Sequence, residues 1–183
     1  MSDDSRLREE RISGERVYSG KILDLDVDRV LLPGGGEVFR EVVRHRGAVV
    51  VLPLHADGRI ELVRQYRYPT GTVVLELPAG KLDPGEEPTT CAARELEEEV
   101  GWRAVEIHAL GSFFTTPGFS DEVLHAFVAT PLEPAPDAVS DPDEAIEVVT
   151  MTVEAALAAC QSGEIRDSKT LATLLLSRLE GWI

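Results

Sequence analysis

The chain is organised around residues 80–102, which read GKLDPGEEPTTCAARELEEEVGW. Glycine and proline interrupt the first eight of these residues, so this part is predicted to be a loop. Pro88 suits the first turn of a helix, where its missing N–H would have no partner anyway, and residues 92–100 are mostly good helix formers. Gly101 stands where such a helix would end. The stretch is therefore predicted to be a loop followed by one helix.

The predicted helix carries three carboxylates on one face. Glu95, Glu98 and Glu99 are spaced i, i+3 and i+4, whereas Glu97 points away from them. Each like-charge pair at this spacing costs an isolated helix roughly 0.2–0.5 kcal/mol, so a cation is needed to neutralise the cluster. A divalent cation that prefers oxygen ligands is the natural partner.

An acidic helix face is usually only solvated, but three features favour a binding site here. Leu96 and Val100 form an apolar stripe that would dock the helix, and Glu99 lies beside this stripe. The Gly-rich loop can bring backbone carbonyls to the same point. Arg94 is a cation that can orient a carboxylate through two hydrogen bonds. The pattern therefore predicts a cation-binding site.

Length and composition describe an ordinary soluble globular chain. The sequence has 183 residues, of which 43% are hydrophobic and 28% charged, enough for one sizeable core. No apolar run approaches the length of a membrane span, and residues 1–13 lack the core of a signal peptide, so we expect a cytoplasmic protein with no membrane partner. Cys91 and Cys160 lack metal-ligand spacing and are interpreted as reduced packing residues.

The net charge of -15 at pH 7 argues against a nucleic acid partner, because binding to a phosphate backbone needs a basic surface. The same charge would repel an anionic substrate. A metal ion and local basic residues would then have to reverse the potential within the site. The basic candidates before the helix are Arg40, Arg44, Arg46, Arg64, Arg67 and Lys81.

Hydrophobic periodicity divides the rest of the chain into further elements. Residues 1–16 are expected to form a polar arm, and residues 22–32 and 37–44 to form a β-hairpin around three glycines. Other strands are predicted at residues 48–54, 60–68, 73–77, 105–114, 123–130 and 146–152. Residues 131–143 form a Pro/Asp-rich loop long enough to be a functional candidate.

Two further helices are predicted near the end of the chain. Thr152 would cap a helix at residues 153–160, and Ser168 would cap one at residues 169–179. In the second helix Leu171, Leu174, Leu175 and Leu179 lie on one face. Strands interspersed with helices in this order indicate an α/β fold with a mixed sheet between helices.

Residues 80–102 resemble the Nudix box of the Nudix hydrolases. That pattern is Gly, five residues, Glu, seven residues, Arg-Glu, an aliphatic residue, any residue, Glu-Glu, any residue, Gly and an aliphatic residue. The matching positions here are Gly80, Glu86, Arg94, Glu95, Leu96, Glu98, Glu99 and Gly101. Trp102 departs from the pattern, being aromatic. The resemblance implies a Nudix α/β/α sandwich with a mixed sheet at residues 45–183, preceded by an arm and β-hairpin for dimerisation and substrate contact at residues 1–44.

Outside the box, the chain resembles the ADP-ribose pyrophosphatase subgroup. The similar stretches are RQYR at residues 64–67, LELPAGK at 75–81, PGFS at 117–120, EAIEV at 144–148 and GEIRD at 163–167. Pro117 follows Trp102 by fifteen residues, the spacing of the proline that marks the subgroup, although a Pro-Gly turn is also ordinary loop chemistry.

This resemblance implies hydrolysis of the pyrophosphate of ADP-ribose to AMP and ribose 5-phosphate, dependent on Mg²⁺ or Mn²⁺. One alternative is a pyrophosphatase for other nucleoside diphosphate sugars or for dinucleotides. Another is a non-catalytic sensor that binds ADP-ribose, which would be expected to have lost box carboxylates and to carry an appended DNA-binding segment. This chain shows neither feature.

The resemblance also implies roles for residues at the matching positions. The metal ligands would be the Ala79 carbonyl, Glu95, Glu98 and Glu99, which would hold two or three ions. Arg94 would orient the glutamates and Glu86 would stabilise the loop and helix. Glu144 would join Glu98 and Arg94 in catalysis, either as general base or as a further metal ligand, and Glu147 is the alternative base.

Substrate contacts implied by the resemblance are Arg40, Glu41, Arg67, Glu76, Lys81, Pro117, Ser120 and Glu122. Arg67 resembles the family arginine that holds phosphate. Phe39 and Tyr68 are candidates for stacking on adenine, although each is more often a core residue. The family frequently exchanges N-terminal hairpins between two subunits, so we expect a homodimer in which Arg40 or Arg44 reaches the partner's site.

Overall fold

The computed structural model describes residues 4–137, 139 and 145–183. These residues form two compact units. The first contains the described residues up to 46 together with 114–123, and the second contains 47–113 and the described residues from 124 to 183. Short 3₁₀ helices at Asp4–Leu7 and Tyr68–Thr70 add to the strands and α-helices given below.

The first unit is built on a three-stranded antiparallel sheet of β1 (Glu10–Ser19), β2 (Asp24–Leu31) and β3 (Glu37–Arg44), in that order. β2 and β3 form the predicted hairpin. The prediction of a polar arm was wrong for residues 10–16, which belong to β1. Every residue of β1 is exposed, so this strand has no apolar face from which periodicity could have identified it.

The second unit contains the remaining strands and all three α-helices. Its strands are β4 (Ala48–Pro53), β5 (Arg59–Arg67), β6 (Thr72–Glu76), β7 (Ala79–Lys81), β8 (Trp102–Phe114), β9 (Val123–Pro134) and β10 (Ile146–Thr152), of which β8 and β9 each have one terminal residue in the first unit. The helices are α1 (Pro88–Val100), α2 (Val153–Ser162) and α3 (Ser168–Leu179). None of the described helices has the length and apolarity to cross a membrane.

The strands of the second unit form two sheets. One has the order β7-β4-β9-β8, with β4 parallel to β9 and antiparallel to β7, and the other is antiparallel with the order β10-β5-β6. The predicted loop was therefore wrong at residues 80–81, which pair with β4 as part of β7. A three-residue strand with glycine at its centre is too short to show a period.

Strand β4 lies between helices on both sides, as its continuous apolar sequence predicts. Val49 and Val51 pack in one apolar cluster with Leu96 of α1. Val50 and Leu52 pack in the opposite cluster with Leu174 of α3. The predicted α/β sandwich with a mixed sheet is confirmed.

Helix α1 begins and ends as predicted. Pro88 occupies its first turn, and Gly101 ends it with φ of 71°, a left-handed conformation that favours glycine. The N–H of Gly101 donates to the Glu97 carbonyl at 3.0 Å. Cys91 is a buried free thiol on this helix, and burial raises its pKa to about 12, as expected of a packing residue. Cys160 is also a free thiol.

The two C-terminal helices differ in how well their caps were predicted. Thr152 caps α2 by accepting a hydrogen bond from the Ala155 N–H at 3.2 Å, as predicted. The prediction of Ser168 as the cap of α3 was wrong, because Asp167 is the cap and its Oδ2 accepts from the Thr170 N–H at 2.9 Å. Adjacent Asp and Ser residues are both good caps, so sequence alone did not separate them.

The buried face of α3 is not the leucine face. Leu174 is 1% exposed, but Leu179 is 74% exposed, and the other buried residues of the helix are Thr170, Thr173 and Ser177. Hydroxyls on this face find partners within the helix: Thr173 donates to the Lys169 carbonyl at 2.7 Å, and Ser177 to the Thr173 carbonyl at 2.8 Å. Satisfied hydroxyls can be buried at little cost, so small polar residues replace leucine there.

Candidate active site

Arg94 joins three carboxylates of the loop and the acidic helix. Its Nε and Nη2 donate to the two oxygens of Glu86, each at 3.0 Å. Its Nη1 donates to Glu95 Oε1 at 2.7 Å and to Glu98 Oε2 at 3.1 Å. A guanidinium that contacts a carboxylate through two nitrogens holds it in a defined orientation. Arg94 therefore orients the glutamates as predicted, and its part in catalysis stays a prediction.

The charges around Arg94 do not balance. One positive charge faces the carboxylates of Glu86, Glu95 and Glu98, so this group carries two uncompensated negative charges when all are ionised. Hydrogen bonds from Arg94 lower the pKa of Glu86 to about 2, and the reciprocal bonds to Glu86 raise the pKa of Arg94. Glu86 and Arg94 thus remain charged at neutral pH, and the excess of carboxylates favours binding of a cation.

Gly80 allows the backbone of β7 to approach the acidic helix closely. A Cβ atom at this position would lie 1.8 Å from Glu95 Oε1 and 1.9 Å from its Cδ. One residue earlier, the Ala79 N–H donates to Glu99 Oε2 at 3.1 Å. The structure therefore gathers the backbone at residues 79–80 with the carboxylates of Glu95 and Glu99. Glycine is needed at position 80 because any side chain would occupy the place of the Glu95 carboxylate.

The chemistry of this donor set fits a hard divalent cation, since carboxylate and carbonyl oxygens are the ligands that Mg²⁺ prefers. Within residues 4–137, 139 and 145–183, no three His, Cys, Asp or Glu side chains stand in the geometry of a metal site. The reason is visible in their hydrogen bonds, because Glu95 and Glu98 are directed toward Arg94 and Glu99 toward the Ala79 N–H. The ligand roles of these residues and of the Ala79 carbonyl stay predictions.

A second group of charges surrounds Glu76, which is 1% exposed. Its Oε1 accepts from Arg67 Nε at 2.7 Å, and its Oε2 accepts from Lys169 Nζ. Lys169 Nζ also lies 3.0 Å from Asp167 Oδ1. These four residues, with Arg166 among others, line a cavity of about 660 Å³. Sequence reasoning missed Lys169, because nothing in the local pattern links it to a carboxylate 93 residues away.

The predicted substrate contacts are divided between the two units. Arg40, Glu41, Pro117, Ser120 and Glu122 belong to the first unit, whereas Arg67, Glu76 and Lys81 belong to the second. In the first unit, the guanidinium of Arg40 is ion-paired with Glu9 at 2.6 Å, and the Ser120 hydroxyl accepts from the Glu122 N–H at 3.2 Å. The substrate roles of all eight residues stay predictions.

The predicted base and stacking residues have different outcomes. Glu144 lies outside the described residues. Glu147, the alternative base, is exposed at the start of β10, where its Oε2 is 3.4 Å from Arg64 Nη1. Phe39 and Tyr68 are both exposed, so neither is a core residue. Their role in stacking stays a prediction.

Trp102, the one departure from the box pattern, has a packing role. Its ring meets that of His55 edge to face, with 4.8 Å between the ring centroids. His55 Nε2 is in turn 2.7 Å from Glu61 Oε1. An aromatic residue suits this place because edge-to-face contact between two aromatic rings is favourable.

Comparison with known proteins gives matches over nearly the whole chain. Residues 43–174 match the model of the NUDIX domain. The chain is 44% identical over 165 residues to an ADP-ribose pyrophosphatase of Bacillus subtilis strain 168, covering 90% of this chain and 89% of that protein. It is 40% identical over 173 residues to a methanol dehydrogenase activator of Bacillus methanolicus, covering 94% of each. A crystal structure described as an ADP compounds hydrolase superposes with a TM-score of 0.83 and 23% identity, covering 96% of this chain and 97% of that one, which shows the fold.

Proposed function

The chain belongs to the NUDIX family, and from this we propose that it hydrolyses the pyrophosphate of ADP-ribose to AMP and ribose 5-phosphate. The observation that carries the proposal is the contact of Arg94 with Glu86, Glu95 and Glu98, which assembles three carboxylates around one guanidinium. The name of the Bacillus subtilis relative, at 44% identity, supports ADP-ribose as the substrate. The reaction depends on a divalent cation, generally Mg²⁺.

Residues 79–99 would hold two or three such ions. The ligands would be the Ala79 carbonyl and the carboxylates of Glu95, Glu98 and Glu99, with Arg94 controlling their orientation. When bound, the ions supply positive charge against the diphosphate and acidify water. Arg94 cannot itself be a ligand, because a guanidinium has no lone pair to donate. Its contact with Glu86 ties the loop to the helix, which keeps the carboxylates together.

The attacking water needs a base within hydrogen-bond reach. Glu144 would accept its proton, or serve as a further ligand, and Glu147 is the alternative base. Arg67 and Lys81 would bind phosphate oxygens, since both are cations of the second unit, in β5 and β7. Arg40, Glu41, Pro117, Ser120 and Glu122 would contact the nucleoside and ribose, and Glu76 the substrate near Arg67.

The expected assembly is a homodimer with exchanged N-terminal hairpins, in the cytoplasm. Under this arrangement Arg40 or Arg44 of one protomer would reach the site of its partner. The wholly exposed β1 supports such an interface, because the strand offers ten residues to a second chain. Sedimentation equilibrium on the full chain measures this directly, and a monomer at micromolar concentration would contradict it.

Substrate preference tests the proposed reaction. We expect kcat/KM with Mg²⁺ to be highest for ADP-ribose in a panel with ADP-glucose, GDP-mannose and NADH. A clear preference for one of the last three would instead favour the alternative of another nucleoside diphosphate sugar or a dinucleotide. Hydrolysis in ¹⁸O-labelled water, followed by mass analysis of AMP and ribose 5-phosphate, then identifies the phosphorus that is attacked.

A second candidate function is regulation of a partner enzyme. The observation that favours it is 40% identity over 94% of the chain to a protein named as an activator of methanol dehydrogenase. Adding this chain, with and without Mg²⁺, to a methanol dehydrogenase would test it. An unchanged dehydrogenase rate in both conditions would eliminate this candidate for that partner.

A further inference from the structure

The carboxylate of Glu76 is buried and accepts hydrogen bonds from two cationic side chains. A buried carboxylate is costly unless hydrogen-bonded cations compensate it. Arg67 and Lys169 each take one of its two oxygens, the first at Oε1 and the second at Oε2. Lys169 Nζ also lies 3.0 Å from Asp167 Oδ1, so the two cations face two carboxylates, and Lys169 joins Glu76 to the start of α3. Lys169 leaves only Oε1 available to Arg67.

The structure attaches Lys169 firmly to the strand end that carries Glu76. Thr170, the next residue of α3, accepts a hydrogen bond from the N–H of Leu77, the residue after Glu76, at 2.9 Å. The Thr170 hydroxyl also donates to Asp167 Oδ2 at 2.7 Å. Two consecutive residues of the helix thus hold two consecutive residues at the end of β6. This double contact sets the position of the Glu76 carboxylate.

Arg67 contacts Glu76 through Nε alone. Among the residues that the structure describes, its two Nη groups donate to no protein acceptor, and its side chain is 37% exposed on the wall of the 660 Å³ cavity. A guanidinium held at Nε presents its two Nη groups to a ligand in a defined plane. Planar paired donors suit the oxygens of a phosphate group.

We propose that Lys169 is a positioning residue, which holds Glu76 so that Arg67 directs its Nη groups at a phosphate of the substrate diphosphate. This inference rests on the proposed function, and it adds a residue of α3 that has no substrate contact of its own. Without Lys169, the Glu76 carboxylate can rotate and accept from Arg67 through both oxygens. The Nη groups then turn inward, away from the cavity.

Kinetics of Lys169→Met test the proposal. A phosphate contact made equally in the bound and transition states affects KM rather than kcat. We expect KM for ADP-ribose to rise about tenfold and kcat to stay within about threefold. Lys169→Arg, which keeps the charge, should recover most of the wild-type KM, and Lys21→Met, the matched loss of an exposed lysine of the first unit, should leave KM unchanged. An unchanged KM in Lys169→Met would overturn the proposal.

A double-variant cycle separates positioning from direct contact. If Lys169 acts through Glu76, then Lys169→Met should change KM by less than about twofold when Glu76 is already Gln. An equal rise in KM in both backgrounds would mean that Lys169 touches the substrate directly, and would overturn the positioning role. Thermal unfolding of every variant, followed by circular dichroism, identifies any that do not fold, in which case Lys169→Gln replaces Lys169→Met.

The Nε–H resonance of Arg67 tests the contact without turnover. In a ¹⁵N–¹H spectrum, assigned with Arg67→Lys, the hydrogen bond to Glu76 should slow exchange of this proton with water in the wild type. Lys169→Met should change its shift and exchange rate, whereas Lys21→Met should not. An identical resonance in Lys169→Met would contradict the inference. If the wild type does not hydrolyse ADP-ribose but Lys169→Met still changes the Arg67 resonance, the proposed function is contradicted and the positioning role of Lys169 is not.

Discussion

The N-terminal sheet and the acidic helix α1 both contain arginine–carboxylate contacts, but the ratio of positive to negative charges differs between them. On the sheet, three arginines meet three aspartates: Arg11, Arg16 and Arg44 with Asp24, Asp26 and Asp28, at 2.6–3.1 Å. On the helix and its loop, Arg94 alone meets Glu86, Glu95 and Glu98. Arg44 also lies 3.2 Å from Asp121 outside the sheet, so three arginines face four aspartates there, whereas one arginine faces three glutamates in the helix cluster.

This difference separates a structural ion-pair network from a cation-binding site. Opposite charges in nearly equal number hold strands together without a further ligand, since cross-strand pairs of this kind stabilise a sheet modestly. Carboxylates in excess repel each other unless a ligand supplies the missing charge. In a chain of net charge -15, an anionic substrate is accommodated only where cations are recruited locally. Substitutions in the helix cluster should therefore affect activity, whereas substitutions in the sheet network should affect stability.

Removing one carboxylate from the helix cluster should have the largest effect on activity. We expect Glu98→Gln to abolish Mg²⁺-dependent turnover of ADP-ribose while its melting temperature stays close to wild type, because charge is lost without volume. Glu97→Gln is the matched control: Glu97 is on the same helix but pairs with Arg103 at 2.7 Å. Steady-state kinetics of both variants provide the test, and wild-type kcat in Glu98→Gln would refute the ligand assignment.

The proposed base should come next in size. Glu144→Gln is expected to lower kcat about 10²–10⁴-fold, the loss typical of a missing general base. Glu147→Gln, three residues on and paired with Arg64, should change kcat little. If kcat falls in Glu147→Gln instead, the base is the alternative residue, and if it falls in neither variant, both assignments are wrong.

Gly80→Ala tests the close approach of β7 and α1. The added Cβ would displace the Glu95 carboxylate, so we expect kcat/KM to fall by roughly 10–100-fold, in line with the cost of a misplaced catalytic group. Gly34→Ala is the control, because a Cβ there meets no atom within 4 Å. Equal activities of the two alanine variants would show that catalysis does not require the observed position of the Glu95 carboxylate.

A substitution in the sheet network should change the pH dependence of stability and leave activity unchanged. Hydrogen bonds from Arg16, and next from Arg44, lower the pKa of Asp26 to about 2 from an ordinary value of 3.8. A lowered pKa in the folded state means that the stabilisation is complete above pH 3.8 and disappears as pH falls toward 2.

Asp26→Asn should therefore melt below the wild type at pH 6, and the two melting temperatures should converge between pH 3.8 and 2. Its kcat should remain that of the wild type. A gap in melting temperature that is the same at pH 6 and pH 2 would contradict the role of this ionised pair, and a loss of kcat would remove the distinction between the two clusters.

Elements with a strong local signal could be predicted from sequence. Strand β4 is a run of apolar residues buried on both faces, and α1 has proline at its start and Gly101 at its end. The spacing of Glu95, Glu98 and Glu99 with Arg94 similarly indicated the acidic cluster. In each case the physical cause lies within a few residues of the sequence.

Features that depend on distant partners could not be predicted. Strand β1 is exposed throughout, and its pairing partners lie in β2, so no periodicity marked it. The threonines of α3 replaced leucine on the buried face because their hydroxyls find partners only once the helix forms. Lys169 meets Glu76 across 93 residues. Each of these is set by tertiary contacts rather than by local propensity.

Calorimetric titration of the wild type, Glu98→Gln and Asp26→Asn with Mg²⁺ or Mn²⁺, in the presence of a nonhydrolysable ADP-ribose analogue, tests most directly whether the excess of carboxylates on α1 exists to bind cations. We expect saturable binding in the wild type and in Asp26→Asn, and binding weakened by at least about tenfold in Glu98→Gln. Equal binding in all three proteins, or no binding in the wild type, would contradict the distinction between the two clusters.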